Sequence, residues 1–261
     1  MTLIGSFFLL WAIAWLPLAI PLAWRLQWQP FSPLTLKQKL ALLAALYLIA
    51  PLVLWLVLEW QGMSWIDCGI TGKPSFWLSL LVGLALGIGS IFATFILEGW
   101  LGWLEWHREN WQRLWRSTLN LLAAALAIAI IEELVFRGFC LTVLAENYGL
   151  WLAAILSSSI FALLHLIWGE PETLPQLPGL WLMGMVLVLA RSVAGGNLGL
   201  AWGLHAAWLW SLWSLDAAGL FAYTGKGGPW LVGWNNQPLA GVAGIFCLGG
   251  TAAILWLAIH L

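Results

Sequence analysis

Eight runs of apolar residues, each near the length needed to cross a bilayer, leave this chain few ways to fold. A hydrocarbon core about 30 Å thick is spanned by about 20 residues of helix rising 1.5 Å each. The runs are Leu3–Trp24, Leu40–Leu58, Phe76–Leu97, Leu119–Ala145, Leu150–Trp168, Leu180–Arg191, Leu198–Leu215 and Leu239–Leu261. The sixth is short, and its helix is expected to begin nearer Leu174, across Pro175 and Pro178. Inside lipid every backbone N–H and C=O must be paired within the protein, which favours helices. The expected class is therefore all-α: a polytopic membrane bundle of about eight transmembrane helices, forming a single integral membrane domain over residues 1–261. No internal repeat and no low-complexity tail divides it.

Composition supports lipid as the main partner. Only 8% of the 261 residues are charged and 62% are apolar, against about 25% charged in soluble domains. The 23 tryptophans suit the membrane–water interfaces where Trp concentrates. A net charge of -1 offers nothing to nucleic acid. Cys68, Cys140 and Cys247 are far apart in sequence, form no metal-type cluster, and read as small apolar side chains. The first apolar run starts without a basic segment before it, so it reads as a span and not as a cleaved leader. Arg25, Lys37, Lys39, Arg108, Arg113, Arg116 and Lys226 fall in one set of loops, and Lys73 and Arg191 in the other. That asymmetry puts the N-terminus outside and the first loop in the cytoplasm.

Between the third and fourth runs, Trp100–Arg116 shows a helical period. Trp100, Trp103, Leu104, His107, Trp111, Leu114 and Trp115 fall on one arc; Glu105, Arg108, Glu109, Gln112, Arg113 and Arg116 fall on the other. The expectation is an amphipathic helix lying in the interface. It would serve as an anchoring connector or as a lid over a substrate.

The fourth run carries Glu132, Glu133 and Arg137 within AIAIIEELVFRGFC. An ionised side chain at the bilayer centre costs on the order of 3 kcal/mol on insertion scales. Three together must face the bundle interior or a wet cavity. Glu133 and Arg137 are four apart and share a helix face, so they can pair. Glu132 is five residues from Arg137, about 140° round the helix, and is left for the cavity. A buried carboxylate near a cation can be poised as a general base towards water. The competing reading makes all three one buried ionic lock. In the fifth run Ser158, Phe161 and His165 stack on one face, and the seventh run carries His205. Each histidine alone could be a satisfied core residue. Measured from the turn at Glu146–Gly149, Glu132 lies about 23 Å down one helix and His165 about 26 Å down the next, which allows them to meet. His205 lies about 15 Å below the turn at Ala194–Gly196.

This pattern resembles the CAAX-protease and bacteriocin-processing family (CPBP, also Abi) of intramembrane endopeptidases. EExxxR is matched by Glu132, Glu133 and Arg137, and FxxxH by Phe161 and His165. The third motif, His followed four residues later by Asn or Asp, is matched by His205 alone, because Leu209 stands in the second position. The run Asn236–Gly241 also looks like bacterial members, and the catalytic core resembling the family extends over 118–248. The resemblance implies hydrolysis of a peptide bond in a membrane-associated protein or peptide. Glu132 would activate water, Glu133, His165 and His205 would complete the catalytic set, and Arg137 would be a structural ion partner. It implies no cofactor, and a bacterial-type inner or internal membrane. Leu209 cannot supply the hydrogen bond that Asn would give a tetrahedral oxyanion, a donor worth about 10²–10³ in rate. Trp208, Trp210 and Ser211 are the nearby substitutes.

Three other functions compete. A non-catalytic family member could use the polar pocket to bind a peptide or partner, and Leu209 favours that reading. A metallopeptidase could hold zinc on Glu132, His165 and His205, since two His and a carboxylate suit that ion, although HExxH is absent. A proton-coupled transporter could use the same carboxylates and histidines, but would be expected to show inverted repeats.

Overall fold

The computed structural model describes residues 3–30, 32–168 and 170–260. It is 82% helical, which makes the class all-α. The chain divides into two compact units, residues 1–67 and 68–261. In the first unit, α1 (Leu3–Arg25) packs on α2 (Leu36–Gln61). Trp11 Nε1 donates to Leu46 O at 3.0 Å, and Ala19, Ala23 and Leu42 form a small core under Trp15 and Trp28. Helix α2 starts at a capping box in which Thr35 and Gln38 satisfy each other's backbone N–H, and it stops at Gly62, whose φ of 66° suits only glycine well.

The second unit holds α3 (Pro74–Trp100), strand β1 (Leu104–Trp106), α4 (Trp111–Glu132), α5 (Leu141–Leu164) and the one-turn α6 (Glu170–Thr173). After these come α7 (Leu177–Val193), α8 (Gly199–Ala218), strand β2 (Phe221–Tyr223), the one-turn α9 (Pro229–Val232) and α10 (Val242–His260). Helices α3 and α8 run parallel along a seam of small residues. A side chain on Gly199 would strike Phe76 O, one on Gly203 would strike Leu80 O, and one on Gly83 would strike Leu200 O. Removing four Cβ atoms at Gly83, Gly87, Gly199 and Gly203 lets the two backbones touch, the small-xxx-small packing typical of helices in lipid. Helix α8 also lies antiparallel to α4. Trp202 Nε1 donates to Leu126 O at 2.9 Å and Trp210 Nε1 to Thr118 O at 3.0 Å. Large apolar side chains point outward, among them Leu119, Trp151 and Phe246, as expected of a surface solvated by lipid.

Among the described residues, six helices are long and apolar enough to cross a membrane, fewer than the expected eight. The run Thr118–Ile167 counts once because its helix is interrupted at a single residue, Gly149, with φ 74° and ψ 163°. The chain folds back there, since Ser157 Oγ donates to Phe136 O at 2.8 Å. Helix α8 is long enough, but its four tryptophans, His205 and Asp216 lower its mean hydropathy and it is not among the six. The expected end of the last span, Leu261, lies outside the described residues.

The interfacial amphipathic helix over Trp100–Arg116 is not present. Trp100 ends α3, Gly102 turns the chain at φ 71°, and Leu104–Trp106 pairs antiparallel with Phe221–Tyr223. A turn of 3₁₀ helix at Arg108–Asn110 follows, and α4 starts at Trp111. The polar and apolar residues that mimic a helical period are sorted by a two-stranded ribbon and by the first turn of α4. The ribbon is held by His107 N–H on Leu220 O (2.8 Å), Thr224 Oγ1 on Gly102 O (2.8 Å) and Asn110 Nδ2 on Gly219 O (2.8 Å).

Candidate active site

Where the acidic pair occurs, α4 changes its winding. Residues Glu133–Cys140 form a π-helix before α5 continues from Leu141. Wider winding leaves backbone carbonyls without their usual helical partners, and buried carbonyls must be paired. The neighbouring helices pair them. Ser157 takes Phe136 O. Arg191, from α7, donates through Nη1 to Arg137 O, to Gly138 O at 3.5 Å and to Thr142 Oγ1 at 3.1 Å, while its Nε donates to Gly196 O at 3.0 Å. A Cβ at Gly138 would lie 3.1 Å from Cys68 O, so the segment also sits close to the start of this unit.

All eight π-helical residues are buried. Glu133 and Arg137 are fully enclosed and paired, with Arg137 Nη1 3.1 Å from Glu133 Oε1. The guanidinium carbon stands 4.2 Å from the centroid of the Phe161 ring, a cation–π contact in dry surroundings. His205 bridges the two glutamates. Its Nδ1 is 2.8 Å from Glu133 Oε1 and its Nε2 3.4 Å from Glu132 Oε2. Since a carboxylate oxygen accepts, the Nδ1–H donates to Glu133, and this orients Nε2 towards Glu132.

Phe161 lies between the two histidines. Its ring meets His165 edge-on at 4.6 Å and His205 at 6.1 Å, and Phe136 closes on it at 5.2 Å. His165 ends α5. Its Nδ1 donates to Phe161 O at 2.8 Å, so the lone pair of Nε2 is left to take a proton from something else. Glu132, Glu133, Arg137, Phe161, His165 and His205 thus form one continuous cluster drawn from α4, the π-helix, α5 and α8. Among the described residues no group of three His, Cys, Asp or Glu side chains is spaced to hold a metal ion; the zinc set Glu132, His165 and His205 is not gathered as ligands.

Other expected participants lie elsewhere. Ser158 faces α7, where its side chain fills the space left by Gly184. Leu209 lines a cavity one helical turn beyond His205, together with Trp208, Leu212 and Glu98. Of the substitutes for a missing donor, Trp208 Nε1 is spent on Ser90 Oγ (3.0 Å) and Trp210 Nε1 on Thr118 O. Ser211 Oγ is buried and finds no partner among the described residues. Two residues escape a reading by motif. Arg191 looks like a loop cation in sequence, and only the fold turns it onto the π-helix. Glu98 falls one residue beyond the third apolar run, yet α3 continues through it and buries it to 3% exposure. The cost of a buried carboxylate that singles out Glu132 would have singled out Glu98 had that run been extended.

Residues 114–211 match the model of a protein family described as type II CAAX prenyl endopeptidase Rce1-like. The matched segment contains the whole cluster. Comparison with curated proteins and with solved structures gives no match.

Proposed function

We propose that this chain, whose residues 114–211 match the Rce1-like family model, is an intramembrane endopeptidase of the CAAX-protease kind in which Glu132 activates the water that cleaves a peptide bond. The observation that carries the reading is the His205 bridge. One ring ties the enclosed Glu133–Arg137 pair to Glu132, so the pair that bears the electrostatic cost also orients the second carboxylate.

In this reading, Glu132 takes a proton from water as the oxygen attacks the scissile carbonyl. The same proton passes to the leaving amine when the C–N bond breaks. His165, its Nδ1 held by Phe161 O, presents the Nε2 lone pair to the attacking water as a hydrogen-bond acceptor. Water-poor surroundings strengthen each of these contacts. The substrate is a membrane-associated protein or peptide. The family's description names prenylated CAAX substrates, but no residue pattern here selects a prenyl group. A multi-pass location in a bacterial-type inner membrane, with the N-terminus outside, belongs to the same proposal, as does independence from a metal cofactor.

Leu209 supports a second reading, in which the chain binds a peptide without cutting it. Purified protein in nanodiscs, incubated with a peptide library with and without chelator, distinguishes the two. Cleavage by wild type that is lost in Glu132→Gln and survives chelation is expected. Chelator-sensitive cleavage would replace the glutamate mechanism with a metal one. Peptide binding without cleavage would establish the non-catalytic reading.

A further inference from the structure

Among the described residues, Glu98 is the one buried carboxylate that the candidate active site does not use. It sits in the last turn of α3, 3% exposed, and its Oε2 has no hydrogen-bond partner among the described residues. It lines two adjoining cavities. The smaller runs towards Leu209 and Trp208. The larger, about 570 Å³, opens between α3 and α10, within the 300–1,000 Å³ common for ligand sites. Its walls are almost wholly apolar, including Leu86, Leu97, Val242, Phe246 and Ile254.

The polar end of this space is the Glu98 carboxylate. No basic side chain forms an ion pair with Glu98 among the described residues. An unpaired carboxylate in such surroundings is costly unless a cation or donor meets it. Cys247 lines the same cavities, but among the described residues no group of three His, Cys, Asp or Glu is gathered to hold a metal ion. An ammonium has three donors and no acceptor, which suits the two oxygens of that carboxylate. The long apolar groove suits an alkyl chain attached to that ammonium.

We propose that the groove between α3 and α10 binds a single-chain amphiphile bearing a primary ammonium, with Glu98 on the head and the α3–α10 walls on the chain. The source is either an amine-headed lipid or a free long-chain amine. This does not rest on the peptidase reading, since it concerns binding by groups outside that cluster.

The full chain in amine-free phosphatidylcholine nanodiscs would be titrated with dodecylamine, dodecanol and dodecanoic acid, with binding read by native mass spectrometry. One dodecylamine per chain is expected, with dodecanol and dodecanoic acid at least tenfold weaker. Glu98→Gln should weaken dodecylamine tenfold or more and leave dodecanol unchanged. Gly250→Leu tests the groove without touching the head. Gly250 lines the cavity and a Cβ there meets nothing within 4 Å, so the leucine fills the groove in a folded chain and should abolish binding. If Glu98→Gln does not fold, the Gly250→Leu result decides. Equal affinity for alcohol and amine, unchanged binding in either folded variant, or no binding by wild type would overturn the proposal. Competition by lysophosphatidylethanolamine added to the discs would assign the ligand to an amine-headed lipid; its absence would assign it to a free amine.

Discussion

At the scale of single residues, enclosure governs the cluster. Glu133 and Arg137 have no exposed surface, so neither can lose its partner without leaving an uncompensated charge in a dry place. Arg137→Met should therefore cost about 3–5 kcal/mol, seen as loss of the folded fraction in size-exclusion chromatography. The double change Glu133→Gln with Arg137→Met should recover part of it. Glu132 retains some exposure and is not part of that ion pair. Its replacement by Gln should leave thermal stability near wild type while lowering any peptidase rate by 10² or more. A large stability loss in Glu132→Gln would return all three residues to the role of an ionic lock.

Tyr223 gives a pH prediction. Burial and the neighbouring charge of Glu98 raise its phenol above the ordinary value of about 10. The neutral form is thus favoured by folding. Its contribution to stability is complete below about pH 10 and is lost as pH rises through the higher folded value. The 295 nm titration of wild type minus Tyr223→Phe should have its midpoint above 10. A midpoint at or below 10 would mean that the hydroxyl reaches water.

At the scale of elements, the π-helix is the unexpected feature. Helical-wheel geometry at 100° per residue finds the Glu133–Arg137 pair, because four residues bring side chains together under either winding. It cannot find the carbonyls that the wider winding releases, or who takes them. Ser157 and Arg191 do so, and both come from helices that meet the segment only in the folded chain. Ser157→Ala should cost about 0.5–1.5 kcal/mol by removing one of the hydrogen bonds to Phe136 O, which keeps the Leu141 N–H, measured as a drop in apparent Tm. The ribbon of β1 and β2 was illegible for a related reason. Three-residue strands depend on a partner more than 100 residues away, and the local polar–apolar order of 100–116 fits a helix equally well when read alone.

At the scale of the whole molecule, the division into lipid-facing and buried surfaces was readable and the seams between helices were not. Apolar length marks the spans, since an uninterrupted run has only helix available in lipid. Which helices touch is decided by where small residues align. The α3–α8 seam aligns Gly83 and Gly87 with Gly199 and Gly203, helix against helix in the same direction. Gly203→Val should push these helices apart and cost about 1–3 kcal/mol or more. The fraction of monodisperse protein in detergent measures it, and the exposed Gly249→Ala, where a Cβ meets nothing within 4 Å, serves as the neutral control.

The amino-acid sequence by itself determined that the chain lives in lipid as helices, and that Glu132, Glu133 and Arg137 must face the bundle interior or a wet cavity. Both follow from local costs: too few charges to cover a water-facing surface, and charges too expensive to leave singly in an apolar span. Tertiary structure alone decided that His205 bridges the two glutamates, that Arg191 and Ser157 hold the π-helix, that Leu209 opens towards a second cavity, and that Glu98 stands buried at its end. These depend on contacts between residues far apart in the chain. Their energies come from packing and from pairing buried polar groups, neither of which exists until the helices have met.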